Sequence, residues 1–218
     1  MSLQVDGNAD YVANINLQLG VVRSKGTGGA VLAYIERSGR HVRIRPMLRT
    51  TAVGTAGHTG AGWNNAVTTP ASWSASGTFS SQRHGAGSDA TIEYSPENLS
   101  GHSPGQLHDE ILCHELCHAL REIYGVELLA RNHGWRPIGG GFEDVEEFFA
   151  CSVTSIYSSQ WLRPLRGNHD RAGMRDPGQM ERPPFSTYIR MFRRQMPQFT
   201  NELAQIPAAF NPFRDLPL

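Results

Sequence analysis

Two histidines and a glutamate lie close together in the segment HELCH, residues 114–118. The apolar spacing around it predicts a helix, and positions four apart lie on one helical face, about 6 Å apart at Cβ. The imidazoles of His114 and His118 can therefore each offer one ring nitrogen to a single Zn²⁺. Glu115 flanks the pair, where a carboxylate can take a proton from a zinc-bound water. The spacing predicts a hydrolytic zinc site; the alternative is two ordinary helix histidines with other partners.

A third protein ligand is needed, with one coordination position left for water. The stretch FEDVEEFFACSVTSIYSS, residues 142–159, predicts a second helix that begins with acidic residues. Two of these run directly into Phe148 and Phe149, so at least one acid lies near the apolar face, where it needs a strong partner such as a metal. The candidates are Glu143, Asp144, Glu146 and Glu147. The first two are better explained as a solvent-facing helix start, and the last two both stay open.

Composition limits the classes of protein that fit. The 218 residues include 20 Lys+Arg and 20 Asp+Glu, so the net charge is zero and there is no basic surplus for nucleic acid. Hydrophobic residues make up 39% and charged residues 18%, as in a globular domain. No apolar run approaches the ~20 residues of a membrane span, and the N-terminus lacks the pattern of a secretory signal. Three cysteines, Cys113, Cys117 and Cys151, are not spaced as a disulfide framework and are expected to be buried, reduced thiols.

Other patterns predict the elements that position HELCH. Alternating residues indicate strands at 41–47 and 89–94, and apolar spacing indicates helices at 30–39, 106–124, 142–159, 186–195 and near 200–206. GTGG, residues 26–29, is interpreted as a turn. The Gly/Ser-rich segment 50–88 is either a decorated hairpin or a surface segment. We expect one α+β domain over residues 1–218, with a small, twisted, mostly antiparallel sheet packed on the HExxH helix and a helical C-terminal half.

The two motifs together resemble a known family. HELCH followed by EEFFACSVTSIY is similar to gluzincin-type zincin metallopeptidases, in which a glutamate on a later helix completes the site. The segment EFFA, residues 147–150, is similar to the third-ligand segment of several such peptidases, including the lethal-factor type. This resemblance implies a zincin-like fold, with Glu147 as the third ligand and Glu146 as the fallback.

A wider stretch, roughly residues 89–170, resembles effector metallopeptidases of bacterial secretion systems. The residues that carry this likeness run from ATIEYSPEN through DEILCHELCHALR to LRPLRGNHD. They are similar to VgrG-linked domains of type VI systems and to NleD-like type III effectors. The resemblance implies a zinc endopeptidase toxin that leaves its producer through an injection apparatus without a signal peptide. It would act in the target-cell periplasm or the host cytosol.

The resemblance also implies partners. They are a protein or peptide substrate and either an immunity protein or a secretion-apparatus spike protein, with no nucleic acid and no membrane span. The competing hypothesis is a catalytically impaired zinc-binding module that acts by binding a partner protein.

One position departs from the gluzincin pattern. In many gluzincins an acidic residue four after the third ligand supports a zinc-bound histidine, and here that residue is Cys151. A thiol is a poor substitute for a carboxylate in that role. Either another acid orients His114, or the support is absent. The candidate acids are Asp109, Glu143 and Asp170.

Two further features are expected of such a peptidase. A donor must stabilise the oxyanion that forms on the scissile carbonyl, and we rank His169 first and Tyr188 second. Tyr157 is on the same helix as Glu147 but almost three turns away. In zincins a strand near the cleft pairs with extended substrate, and the strands at 41–47 and 89–94 are the candidates.

Overall fold

Four strands and seven helices form the part of the chain that the structure describes. The computed structural model describes residues 2–47, 66–70 (backbone only), 87–96, 107–126, 142, 145–165, 180–182 and 184–216. The strands are β1 (Leu3–Val5), β2 (Val42–Arg45), β3 (Ala66–Pro70) and β4 (Ala90–Tyr94). The helices are α1 (Ala9–Arg23), α2 (Gly26–Arg37), α3 (His108–Ile123), α4 (Val145–Gln160), α5 (Phe185–Gln195), α6 (Pro197–Ala204) and α7 (Pro212–Asp215). The expected α+β class is confirmed.

The sheet is mixed, with the strand order β1-β2-β4-β3. β1 pairs with β2 and β2 pairs with β4 in parallel, whereas β3 pairs with β4 in antiparallel fashion. The prediction of a mostly antiparallel sheet is therefore wrong for these strands. The chain passes from β1 to β2 through α1 and α2, and such a helical crossover returns the next strand in the same direction. Alternation in a sequence marks a strand but carries no information about its direction.

Helix α3 lies at the centre of the packing. β3 and β4 contact it, and so do α1, α2 and α4. Nearly all of its 16 residues are buried, including acidic and basic ones near both ends. The apolar spacing predicted a helix with one buried face, but the neighbouring elements cover the polar face as well. The site residues on α3 are therefore held from several sides.

The N-terminal elements escaped prediction. β1 and α1 were not anticipated, and GTGG, predicted as a turn, forms the first turn of α2. A Cβ atom at Gly28 would lie 2.1 Å from the carbonyl oxygen of Val22. Glycine is needed there because the end of α1 and the start of α2 approach closely. In the sequence, glycines required for such close packing cannot be distinguished from the glycines of a turn.

The remaining predicted elements lie close to the observed ones. The predicted helices at 106–124 and 142–159 correspond to α3 and α4, and those at 186–195 and near 200–206 correspond to α5 and α6. The helix predicted at 30–39 is the later part of α2. Gly39 and Gly125, which follow α2 and α3, both adopt the left-handed conformation that ends helices. Most of the segment 50–88 lies outside the described residues, but β3 within it pairs with β4 as a hairpin would.

The described buried apolar side chains form one cluster that extends from Ile15 to Leu216. This agrees with a single domain over residues 1–218, which remains a prediction. Within the described residues no helix combines the length and apolar character needed to cross a membrane.

Candidate metal centre

Helix α3 places the two histidines on successive turns of one face. At its start, the Leu107 N–H donates a hydrogen bond to Glu110 Oε2 (3.1 Å), which satisfies one of the free N–H groups of the first turn. Further along, the Nε2 atoms of His114 and His118 lie 3.1 Å apart, as the four-residue spacing predicts. Both ring nitrogens therefore face the same point beside the helix.

Glu147 on α4 reaches that point from the other side. Its Oε2 lies 3.2 Å from His114 Nε2, and its Oε1 lies 3.4 Å from His118 Nε2. Tetrahedral Zn²⁺ with ligand bonds of about 2.0–2.2 Å keeps its ligand atoms about 3.3–3.6 Å apart, close to these separations. In the described part of the chain, these three residues are the one group of His, Cys, Asp or Glu side chains that could hold a metal ion. Two imidazole nitrogens and one carboxylate suit zinc, so the donor set fits.

The neighbouring Glu146 has a different partner. Its Oε1 accepts a hydrogen bond from Arg121 Nη2 (2.8 Å), and its Oε2 accepts another from Arg121 Nε. The Arg121 guanidinium is fully buried and lies over the rings of Phe149 and Phe192. Successive residues on a helix point about 100° apart, so a core-facing Glu146 leaves Glu147 to face α3. The structure brings Glu147, and not Glu146, to the histidines.

The histidines and the carboxylates of this cluster shift one another's pKa values. Burial lowers the pKa of His118, but the carboxylates of Glu147, Glu115 and Glu146 together outweigh burial and raise that pKa to about 10, with Glu147 as the largest of the three. Burial also raises the pKa of Glu147, but His118 and His114 outweigh it and hold that pKa well below its usual range. The two shifts describe one interaction, in which the Glu147 carboxylate favours a positive charge beside it.

Glu115, the predicted general base, is buried on α3 with 8% of its surface exposed. Its charge contributes to raising the pKa of His118, which places it within electrostatic range of the cluster. Its part in catalysis remains a prediction.

Cys151 occupies the position where the gluzincin pattern has an acid. Its Sγ lies 4.0 Å from His114 Nδ1, the ring nitrogen that faces away from Glu147. Asp109, one of the acids proposed to orient His114, instead accepts hydrogen bonds from Tyr157 Oη (2.6 Å) and Arg163 Nη1 (2.8 Å). The other two candidates, Glu143 and Asp170, lie outside the described residues. Among the described residues, the Cys151 thiol lies beside His114 Nδ1.

All three cysteines are free and buried, as predicted. Burial raises the pKa of the Cys117 thiol well above its ordinary value, and a hydrogen bond with Cys113 adds to this effect. The three thiols are buried, and they are not part of the candidate ligand set.

The predicted oxyanion donors are only partly within the described chain. The ring of Tyr188 packs against Phe148, with ring centroids 6.0 Å apart, next in sequence to Glu147. His169 lies outside the described residues. The hydroxyl of Tyr157 donates to Asp109 at the far end of α4, in agreement with the argument that it is too distant. The role of Tyr188 and His169 therefore stays a prediction.

Arg121 is the residue near the site that sequence reasoning missed. It joins three elements: Nη2 also donates to Val126 O (2.7 Å) and to Gln195 Oε1 (2.9 Å) on α5. The sequence did contain a signal for Arg121. It lies seven residues after His114, on the same face of the helix, and a charged residue on a buried face needs an oppositely charged partner. The two acids before Phe148 would have supplied that partner.

An HExxH helix that packs on a small sheet and meets a carboxylate from a later helix defines a metallopeptidase-like domain. The chain belongs to the Peptidase_M91 family, described as effector protein, whose model matches residues 1–144. No curated protein and no solved structure matches the chain. The match includes both histidines and Glu115. It also includes the N-terminal segment, in which no motif was recognised. Glu147 lies just beyond it.

Proposed function

We propose that this chain is a zinc-dependent endopeptidase that cleaves a protein of the cell into which it is delivered. The observation that carries the proposal is the convergence of His114, His118 and Glu147, whose facing atoms lie 3.1–3.4 Å apart. Membership of a peptidase effector family supports the reaction class and a protein substrate.

Each site residue has a distinct part in the proposed reaction. His114 and His118 supply Nε2, and Glu147 supplies a carboxylate oxygen, as ligands. A bound zinc ion would lower the pKa of a water molecule and polarise the peptide carbonyl. Glu115 takes the proton from the attacking water on its carboxylate and gives it to the leaving amine. Tyr188 and His169 are the proposed donors to the oxyanion.

The strand proposed to pair with an extended substrate has to be reassigned. The candidate strands at 41–47 and 89–94 became β2 and β4, and each is paired on both sides within the sheet. β3 is at the end of the strand order, is antiparallel to β4 and contacts α3. A substrate that adds as a strand would therefore pair with β3.

Family membership also indicates secretion and delivery into a target cell. We propose a dedicated injection apparatus of type VI or type III, with action in the target-cell periplasm or the host cytosol. An immunity protein or a spike protein remains a proposed partner.

The test begins with zinc. Elemental mass spectrometry of the purified protein should give close to one zinc per chain, and the wild type should cleave a degenerate peptide library. Glu115→Gln should retain zinc and lose cleavage, whereas Glu202→Gln, at an exposed carboxylate on α6, should retain both. Absence of zinc, with none taken up on titration, would refute the metal site. Cleavage by Glu115→Gln at the wild-type rate would refute its role as base.

A further inference from the structure

We propose that Cys151 is a positioning residue for His114. Its Sγ accepts a hydrogen bond from His114 Nδ1–H and so fixes the tautomer and orientation in which Nε2 faces the metal. This inference rests on the proposed zinc site, and it assigns a specific task to a residue that departs from the gluzincin pattern.

The geometry supports this contact. Cys151 Sγ lies 4.0 Å from His114 Nδ1, a long but acceptable distance for a hydrogen bond to sulfur. On the other side of the same ring, Nε2 lies 3.1 Å from His118 Nε2 and 3.2 Å from Glu147 Oε2. A neutral imidazole that binds a metal through Nε2 carries its proton on Nδ1. The Cys151 sulfur lies within hydrogen-bond range of that nitrogen.

The helix supplies the position of the thiol. Cys151 comes four residues after Glu147, so both side chains lie on the face of α4 that meets α3. The turn is fixed by Phe148 and Phe149, which are fully buried, and by Ser155 Oγ, which donates to the Cys151 carbonyl (2.7 Å). One helical face therefore presents a carboxylate to one nitrogen of His114 and a sulfur to the other.

The choice of sulfur has a chemical consequence. Partners of metal-bound histidines are usually carboxylates, carbonyls or water, and replacing such a partner typically changes metal affinity or activity by about 10–100-fold. A thiol is a weak, uncharged acceptor. It orients the ring without adding negative charge, so His114 is a less basic ligand than it would be beside a carboxylate. We expect the contribution of Cys151 to zinc affinity to fall at the lower end of that range.

The test compares zinc dissociation constants, measured by chelator competition, in three variants. Cys151→Ala should bind zinc about tenfold more weakly than the wild type. In Cys151→Asp the new side chain is similar in size to cysteine, and its acceptor oxygens reach further from the helix. This variant should bind zinc at least as tightly as the wild type. Cys113→Ala removes a buried thiol from the same core and should leave zinc affinity unchanged. Unchanged affinity in Cys151→Ala, an equal loss in Cys113→Ala, or no recovery in Cys151→Asp would each overturn the proposal.

Histidine NMR keeps the test decisive if the variants fold poorly. In the ¹⁵N-labelled wild-type zinc protein, His114 should carry its proton on Nδ1, and a protonated Nε2 or a metal-bound Nδ1 would overturn the proposal without any variant. A wild type that binds no zinc would instead refute the proposed function. Zinc binding that is indifferent to Cys151 refutes only this inference.

Discussion

Glu146 and Glu147 are adjacent in the chain, but their side chains point in different directions and have different partners. Glu146 faces the core, where it forms a double hydrogen bond with the fully buried Arg121. Glu147 faces α3, where its two oxygens lie 3.2 and 3.4 Å from the histidine nitrogens. The ion pair between Glu146 and Arg121 orients the first turn of α4, and this orientation directs Glu147 to the two histidines of α3.

The two glutamates should therefore respond differently to the same substitution. Glu147→Gln should lose most zinc binding, and its metal-free form should also lose the ion pair with His118 that raises the pKa of that imidazole to about 10. Glu146→Gln leaves the Arg121 charge without compensation, and we expect the free energy of unfolding to fall by about 3–5 kcal/mol. Zinc stoichiometry and urea unfolding measure the two effects. Equal zinc loss in both folded variants would contradict the assignment of separate roles.

The oxyanion donor can be identified by tyrosine and histidine substitutions. If Tyr188 or His169 donates to the oxyanion, Tyr188→Phe or His169→Ala should lower kcat by about 10²–10³ with zinc content unchanged. Tyr157→Phe is the matched control, because its hydroxyl donates to Asp109. It should lower the free energy of unfolding by about 1–3 kcal/mol and leave kcat of the folded enzyme unchanged. A loss of kcat in Tyr157→Phe, with none in Tyr188→Phe or His169→Ala, would contradict the choice of Tyr188 and His169 as candidate oxyanion donors.

Metal removal separates a catalytic centre from a structural one. The buried apolar cluster extends over α1 to α7, so we expect the metal-free protein to remain folded. Zinc present at 100 times its Kd should add about 2.7 kcal/mol of stability. Phenanthroline should abolish cleavage and lower Tm without loss of helical circular dichroism, and a hydroxamate should inhibit without removing zinc. Complete unfolding on chelation, with no hydroxamate effect, would favour the non-catalytic zinc module.

Two helical glycines provide a test of the packing between α1 and α2. At Gly20, among the described residues, no atom beyond its chain neighbours and the nearby backbone of its own helix lies within 4 Å of an added Cβ, so Gly20→Ala should raise the free energy of unfolding by about 0.5–1 kcal/mol. At Gly28 the added Cβ would meet the Val22 carbonyl oxygen at 2.1 Å, so Gly28→Ala should lower it. Thermal unfolding of both variants beside the wild type measures the difference. A stabilised Gly28→Ala would show that the close approach is not required.

Local signals in the sequence were sufficient for the helical parts of the site. The four-residue spacing of His114 and His118 predicted their shared face, and the left-handed Gly125 ends α3 as expected. The choice between Glu146 and Glu147 required the family resemblance, because helical geometry alone does not say which acid faces α3. That choice depends on Arg121, whose partners come from α4 and α5.

Longer-range features were less predictable. The parallel pairing of β2 with β4 depends on crossovers that no alternation pattern reveals. GTGG resembles a turn by composition, yet Gly28 is required by contact with α1. The contact between Cys151 and His114 could not be anticipated either, because a buried cysteine usually indicates packing alone.

The three residues of the candidate metal centre are divided between α3 and α4, and the family match ends at residue 144, before Glu147. A polypeptide made only to that point carries both histidines and Glu115 but cannot complete the cluster. On the proposed function, zinc binding by these three side chains would therefore require α4 to be docked on α3. On that proposal the chain would stay inactive until α4 docks, even though the whole HExxH motif has already been synthesised.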